Sequence, residues 1–542
     1  MEKEFSKIFV FNLRGNQRTS GELSRKEGGK IFGSGSRTPV SITILVKRPT
    51  PTSLRGATGD EAIQKAVIKY YDIGDYLSRE DKLKIVKDAE SIMHLEMSVL
   101  HPNENGDWIN QRNENFGKWT PIEPDKKFDV ISKSWFNTFA IGVSTNRDAW
   151  VYGFSKENVS EKMQNMISFY NSETKKLKNG EIRLPSLSAA HISWTVNLKK
   201  DAEKGVLHRF EKASFIESCY RPYCRQYLYY DKPFIERPGL WSQLFPTPEN
   251  GNLVIMISGI GANKPFTALI SDRIPSLDTV EKNQCFPLYY YEKPNGNDLF
   301  GDYVRKDAIS DYILKQARTQ YSDPKIRKED IFYYVYGFLH SEEYRTEFAA
   351  DLKKMLPRIP LVDTADDFWA FSKAGRRLAD IHLNYEQAEP YKALIVSSNQ
   401  VASELPMFSG MAAEQRAFFS AEDPKTLYKV RQMRFAKKSG YDSKGKAKNV
   451  DDKTRIIYNE KISIAGIPEK AYEYVVNGKS AIEWIMERYA ITTDKASGIV
   501  NDPNDWALEH NDPKYIFNLV LRIITVSLET MKIVKSLPKV KF

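Results

Sequence analysis

Six glycines and six cations crowd residues 11–39, FNLRGNQRTSGELSRKEGGKIFGSGSRTP, where Arg14, Arg18, Arg25, Lys26, Lys30 and Arg37 meet only Glu22 and Glu27. Ser, Thr, Asn and Gln side chains lie between them. Such a stretch brings positive charge and many hydrogen-bond donors to a row of phosphates, which is the chemistry of gripping a nucleic-acid backbone. Arg18, Arg25, Lys26 and Arg37 are the candidate phosphate contacts. A buried loop of this length would strand its N–H and C=O groups, so it belongs at the surface, where long loops are functional or disordered. A mobile surface loop without a partner is the plainer alternative.

Three further clusters suit the reading of bases. DWINQRN at 107–113 sets Asn110 and Arg112 beside Trp108, and STNRDAW at 144–150 sets Asn146 and Arg147 beside Trp150. RPYCRQYLYY at 221–230 combines Arg221 and Arg225 with several tyrosines. Arg reaches guanine and Asn or Gln reaches adenine, while aromatic rings stack or wedge. Taken singly, each cluster reads sooner as an interior cap or a cation–π contact, and the DNA reading gains from the combination with the basic loop.

Other chemistry lacks its residues. GIGANK at 259–264 follows an apolar run but lacks the Gly-Lys-Ser/Thr ending of a phosphate loop, and FTALI beyond it reads as a strand where a helix should begin. None of the seven histidines has metal-ligand spacing, and Pro124-Asp125 has no acidic-x-Lys partner of a nuclease. No metal site is expected. Cys219, Cys224 and Cys285 read as reduced, structural thiols.

The 542 residues carry a formal charge of +10, a modest excess that permits a nucleic-acid partner without requiring one. At 41% hydrophobic content the chain can bury a large core in several domains. The charged start, MEKEFSK, is not a secretory signal, and the apolar stretch 515–534 is broken by Arg522, Glu529 and Lys532. No membrane partner and a cytoplasmic location are expected.

Short strands at 8–11 and 42–46 flank the basic loop, and VIKYYDI at 67–73 is a third. Since a two-stranded ribbon is marginal in water, these strands should join others from elsewhere. SREDKLKIVKDAESIMHL from Ser78 reads as a helix capped by Ser78, with Glu80 and Asp81 in its first turn. Residues 105–385 read as short aromatic strands among turn-rich loops, with one helix after Ser341 that carries Tyr344, Phe348 and Leu352 on one face and ends at Pro357. A lysine-rich linker at 437–453 precedes strand-like runs at 455–459 and 462–468, and Asp512-Pro513 signals the start of a final helix. The expected fold class is α+β: an incomplete α/β methyltransferase-like sheet over 1–104, a large mixed α+β target-recognition region over 105–385, and strands then helices over 386–542.

The runs FNLRGNQRTSGE and GGKIFGSGSRTPV, then YDIGDYLSREDKL, GDWINQR, STNRDAWVY, RPYCRQYLYYDK, YGFLHSEEYR, LPRIPL, YVVNGKSAIEW and DKASGIVNDPNDW, together resemble the C-terminal part of Type ISP restriction-modification enzymes across nearly the whole chain. In that family one polypeptide joins a nuclease, a helicase-like ATPase, an adenine-N6 methyltransferase and a target-recognition domain. The resemblance implies the end of the methyltransferase fold followed by the DNA specificity region. Adenine methylation needs an Asn-Pro-Pro-aromatic motif for the flipped base, and this sequence contains no Pro-Pro dipeptide. The resemblance therefore implies a chain that binds double-stranded DNA but is not catalytic alone. S-adenosylmethionine, ATP and Mg²⁺ would act only in the full enzyme, where an upstream polypeptide supplies the methyltransferase, helicase and nuclease parts. The alternative from another class is a non-catalytic scaffold with no DNA contact, for which an incomplete sheet with an open edge would speak.

Overall fold

The computed structural model describes residues 1–542 except 3, 19–20, 34–35, 48–65, 294–302, 398–422 and 442–446. The chain divides into two compact units, Met1–Gly117 and Lys118–Phe542.

The first unit is built on β1 (Phe5–Arg14), whose Ile8, Phe9, Phe11 and Leu13 are buried. Helix α1 (Gly21–Glu27) interrupts the basic loop before β2 (Val40–Lys47), which pairs antiparallel with β1. Strand β3 (Val67–Asp72) lies parallel to β1 on its other side, from Lys7 opposite Val67 to Asn12 opposite Asp72. Helix α2 (Arg79–Ala89) follows, and β4 (Ser98–Leu100) closes a sheet of order β2-β1-β3-β4. Ser78 caps α2 as the sequence requires: its Oγ accepts the Asp81 N–H at 3.1 Å, and the Asp81 carboxylate accepts the Ser78 N–H at 3.2 Å. Phe11, Leu13, Ile31 and Ile73 form the core beneath α2, with Ile85 and Val86 packed on it. Because β1 and β3 are parallel, both end on the same edge, at Arg14 and Asp72, and the basic loop leaves from that edge.

The second unit is mixed α+β. Strands Ala268–Ser271, Val254–Ile257, Gln284–Pro287 and Ala140–Ile141 form one antiparallel sheet; Tyr152–Gly153, Cys224–Tyr229 and Phe215–Arg221 form another. Leu394–Ser397, Ile462–Ala465, Ala447–Ile457 and Arg434–Tyr441 make a third. No described helix is long and apolar enough to cross a membrane.

Three sequence expectations are corrected. The lysine-rich stretch after Lys437 is not a linker: residues 434–441 and 447–457 pair as a hairpin in which Lys437 and Lys438 face Asp451 and Asp452, so opposite charges sit across the strands. The helix after Ser341 breaks in two, Glu342–Glu347 and Asp351–Lys354, although Tyr344, Phe348 and Leu352 still share the buried face. The last helix, Tyr515–Lys535, starts beyond Asp512-Pro513, whose Asp512 carbonyl instead accepts the Tyr515 N–H in a turn.

A chain of buried polar groups ties three helices together. Tyr336 on Lys328–Phe338 reaches His382 Nδ1 on Ala365–Leu383 at 2.6 Å, and His382 Nε2 lies 2.9 Å from Thr530 Oγ1 on the last helix. Burial, reinforced by the Arg345 guanidinium, pushes His382 from 6.5 down to about 3, so it stays neutral inside the fold. Between those values the unfolded chain binds a proton that the folded chain does not. The stability due to His382 is thus complete above about 6.5 and lost as pH falls toward 3, by at most about 1.4 kcal/mol per pH unit. In denaturant titrations at pH 7 and 5, His382→Gln should show a shallower loss of stability than the parent; parallel pH profiles would refute the buried neutral histidine.

Candidate nucleic-acid interface

The loop that leaves β1 is held by backbone and side chain alike. Gly15 N–H donates to the Glu27 carbonyl at 3.1 Å, and Gln17 N–H to the Arg37 carbonyl at 2.9 Å, so the loop folds back on itself. The second of these bonds brings the segments bearing Arg18 and Arg37 side by side. Lys82, fully buried on α2, donates to the carbonyls of Glu27 at 2.6 Å and Gly29 at 3.0 Å. Arg79 Nε donates to the Ile31 carbonyl at 2.9 Å, and Gly29 N–H to that of Leu77 at 2.8 Å. Gly28 is needed here: its φ is +69°, and a Cβ would lie 2.2 Å from the Leu77 carbonyl oxygen. Burial lowers the pKa of Lys82, yet two carbonyl acceptors and the nearby Glu27 carboxylate compensate the charge.

At the strand ends, Arg14 Nε meets Asp72 at 2.6 Å and its Nη1 meets Asp75. Burial works against the charge on Arg14, but these two acids outweigh it and hold its pKa above the usual value. Burial likewise opposes the charge on Asp72, and Arg14 with the Gly74 N–H brings its pKa below the ordinary carboxylate value. Arg14 is thus consumed in closing the edge. Arg18, Arg25, Lys26 and Arg37 all have exposed side chains, Arg25 and Lys26 in the last turn of α1.

The other candidates divide into exposed and interior groups. Asn110 is exposed at φ 50°, two residues before Arg112, whose Nε pairs with Asp107 at 2.9 Å. Asn146 is exposed at φ 53°. Arg147 beside it points inward: it is buried, donates to Thr195 Oγ1 at 2.6 Å, and burial pushes its pKa down to about 10. Arg225 spans two elements, bonding Glu386 at 2.7 Å and the Leu383 carbonyl at 3.1 Å. Arg221 stacks on Tyr220 and donates to Ser276 Oγ at 3.0 Å.

The neighbours of Arg221 could not be read from spacing. Lys479 and Arg488 flank Trp484 along the chain, Arg488 one turn on in the same helix, and Lys264 joins them from a distant segment; the three cations lie 5.1, 5.4 and 5.7 Å from the ring centre. Burial lowers the pKa of all three; Arg488 adds to this at Lys479, and Arg221 at Arg488. Arg221 and the NGKSAIEW segment were both visible as motifs, but only folding makes them one basic cluster.

At the glycine loop 259–261 backbone packs closely: a Cβ at Gly259 would lie 2.0 Å from the Lys282 carbonyl oxygen. The next element is the strand Ala268–Ser271, with no helix N-terminus to receive an anion.

The sequence model of the Type ISP C-terminal specificity domain matches residues 134–519. No curated protein matches the chain. Among solved structures, a nuclease-deletion mutant of the Type ISP restriction-modification enzyme LlaGI in complex with a DNA substrate mimic is 37% identical, with a TM-score of 0.78 over 99% of this chain and 44% of that one. The ATP-dependent Type ISP restriction-modification enzyme LlaBIII bound to DNA is 33% identical, with a TM-score of 0.80 over 99% of this chain and 31% of that one. A DrdV–DNA complex is 28% identical, with a TM-score of 0.77 over 99% of this chain and 48% of that one. The chain spans less than half the length of each.

Replacing Lys82 by Met keeps the bulk and removes the two bonds to the loop carbonyls. Unfolding of the first unit should become easier by about 1–3 kcal/mol, and trypsin should cut faster after Arg25 and Lys26. Unchanged cleavage in Lys82→Met would show that the loop is held by other contacts.

Proposed function

This chain belongs to the Type ISP restriction-modification family, whose C-terminal specificity domain it carries, and on that premise we propose that it binds duplex DNA and selects the sequence on which a larger enzyme acts. The observation that carries the reading is a basic loop whose backbone is tied down while Arg18, Arg25, Lys26 and Arg37 stay exposed. Cations on a fixed backbone lose little entropy when they meet phosphates, so they suit a clamp that sets register. The DNA-bound states of LlaGI, LlaBIII and DrdV support it.

In this reading residues 1–104 are the end of a methyltransferase fold, 105–385 recognise the target, and 386–542 complete the specificity region. Asn110 and Asn146 are the base-reading candidates. Arg112, Arg147, Arg221 and Arg225 serve the loops that carry such contacts, since their guanidinium groups already bond within the protein. Methyl transfer from S-adenosylmethionine and ATP- and Mg²⁺-dependent restriction are assigned to other parts of a cytoplasmic assembly. Strand β2 supports an assembly partner: Ile42, Ile44, Leu45 and Val46 are all more than a third exposed, an apolar surface that a soluble sheet normally covers.

The double variant Arg18→Ala/Arg37→Ala should weaken duplex binding equally on all sequences and lower the salt slope by about two, one per lost phosphate contact. Affinity and slope that stay as in the parent would exclude the loop as clamp. Retention of the parent on DNA without salt dependence would favour the pure scaffold. Transfer of labelled methyl groups by the isolated chain would overturn its non-catalytic assignment.

A further inference from the structure

The second unit holds a cleft of about 700 Å³ at the base of the 434–457 hairpin, away in sequence from the basic loop and the three polar clusters. It is lined by a short segment bearing Lys429, Arg431, Gln432 and Arg434, all exposed, and by Lys461; among the described lining residues Glu460 is the one acid. Among the described residues, no ion pair joins Lys429, Arg431 or Arg434 to a carboxylate.

The segment is fixed from behind. Buried Asn504 accepts the Val430 N–H at 2.9 Å and donates back to the Val430 carbonyl at 2.7 Å, pairing both backbone groups of that residue. Asn459 donates to the carbonyls of Leu427 at 2.8 Å and Lys429 at 3.0 Å, and the Ile491 N–H reaches the Arg431 carbonyl at 2.9 Å. Val430 is buried between its neighbours, so Lys429 and Arg431 must both turn outward. Lys429, Arg431 and Arg434, exposed on a pinned backbone along a concave wall, are arranged for a ligand of repeated negative charge.

The geometry points to this cleft as a second seat for the DNA backbone, in which Lys429, Arg431 and Arg434 contact successive phosphates without reading bases. This rests on the DNA reading above and assigns to it a surface outside both the basic loop and the base-reading clusters. The chain then grips the duplex through further residues besides those of the loop, which adds affinity and leaves the choice of sequence untouched.

The test is equilibrium binding of the full chain to a fluorescent duplex over a range of salt. Against the parent, Lys429→Gln/Arg431→Gln/Arg434→Gln should bind about tenfold or more weakly and lose two to three units of salt slope, at about 0.9 per phosphate. The charge-keeping variant Lys429→Arg/Arg431→Lys/Arg434→Lys should retain the slope. Discrimination between duplexes of different sequence should be the same in all three proteins. If the parent binds with a steep salt dependence and the glutamine variant matches it, the cleft is not a DNA seat and the loop clamp stands. If the parent itself shows no salt-dependent binding, the DNA reading falls and the cleft with it.

Discussion

A single ammonium group decides what the first unit can do. Lys82 is fully buried on α2, and its Nζ holds the carbonyls of Glu27 and Gly29 from below. Without those bonds the segment after Arg14 is a long polar connection with few apolar side chains to anchor it. With them, and with Gly28 and Gly29 pressed against the start of α2, it becomes a shaped surface. An unpaired buried charge is costly, so the lysine and the loop carbonyls stabilise each other only together.

The same division of labour recurs in the second unit. Cations that look equivalent in the sequence are sorted by folding into struts and contacts. Arg147 donates to Thr195, and Arg225 to Glu386 and the Leu383 carbonyl, bracing loops that arrive from distant segments. Lys429 and Arg431 have their carbonyls held by Asn459 and by the Ile491 N–H, with Asn504 pinning Val430 between them, and keep their charges outward. Asparagines suit this work because an amide can donate to a carbonyl and accept from an N–H at once.

Much of the first unit was legible. The strands at 8–11, 42–46 and 67–73 are there because apolar runs of that length between turn residues have few other stable forms, and Ser78 caps α2 because Asp81 stands three residues on. The lysine-rich stretch after Lys437 misled because charge reads as solvation; across a hairpin, Asp451 and Asp452 answer the lysines that a linker would leave alone. The helix after Ser341 kept its apolar face while losing continuity, since packing of Tyr344, Phe348 and Leu352 is satisfied by two short turns as well as by one long helix.

By itself the sequence determined the kinds of element, the basic loop and the absence of a Pro-Pro methylation motif, because these depend on residues close together in the chain. Only the tertiary structure decided which arginines face inward, that Lys264 joins Lys479 and Arg488 at Trp484, and that α2 reaches back to hold the loop. Those outcomes depend on which distant groups become neighbours, and burial and hydrogen-bond partners belong to a place in the fold before they belong to a residue type.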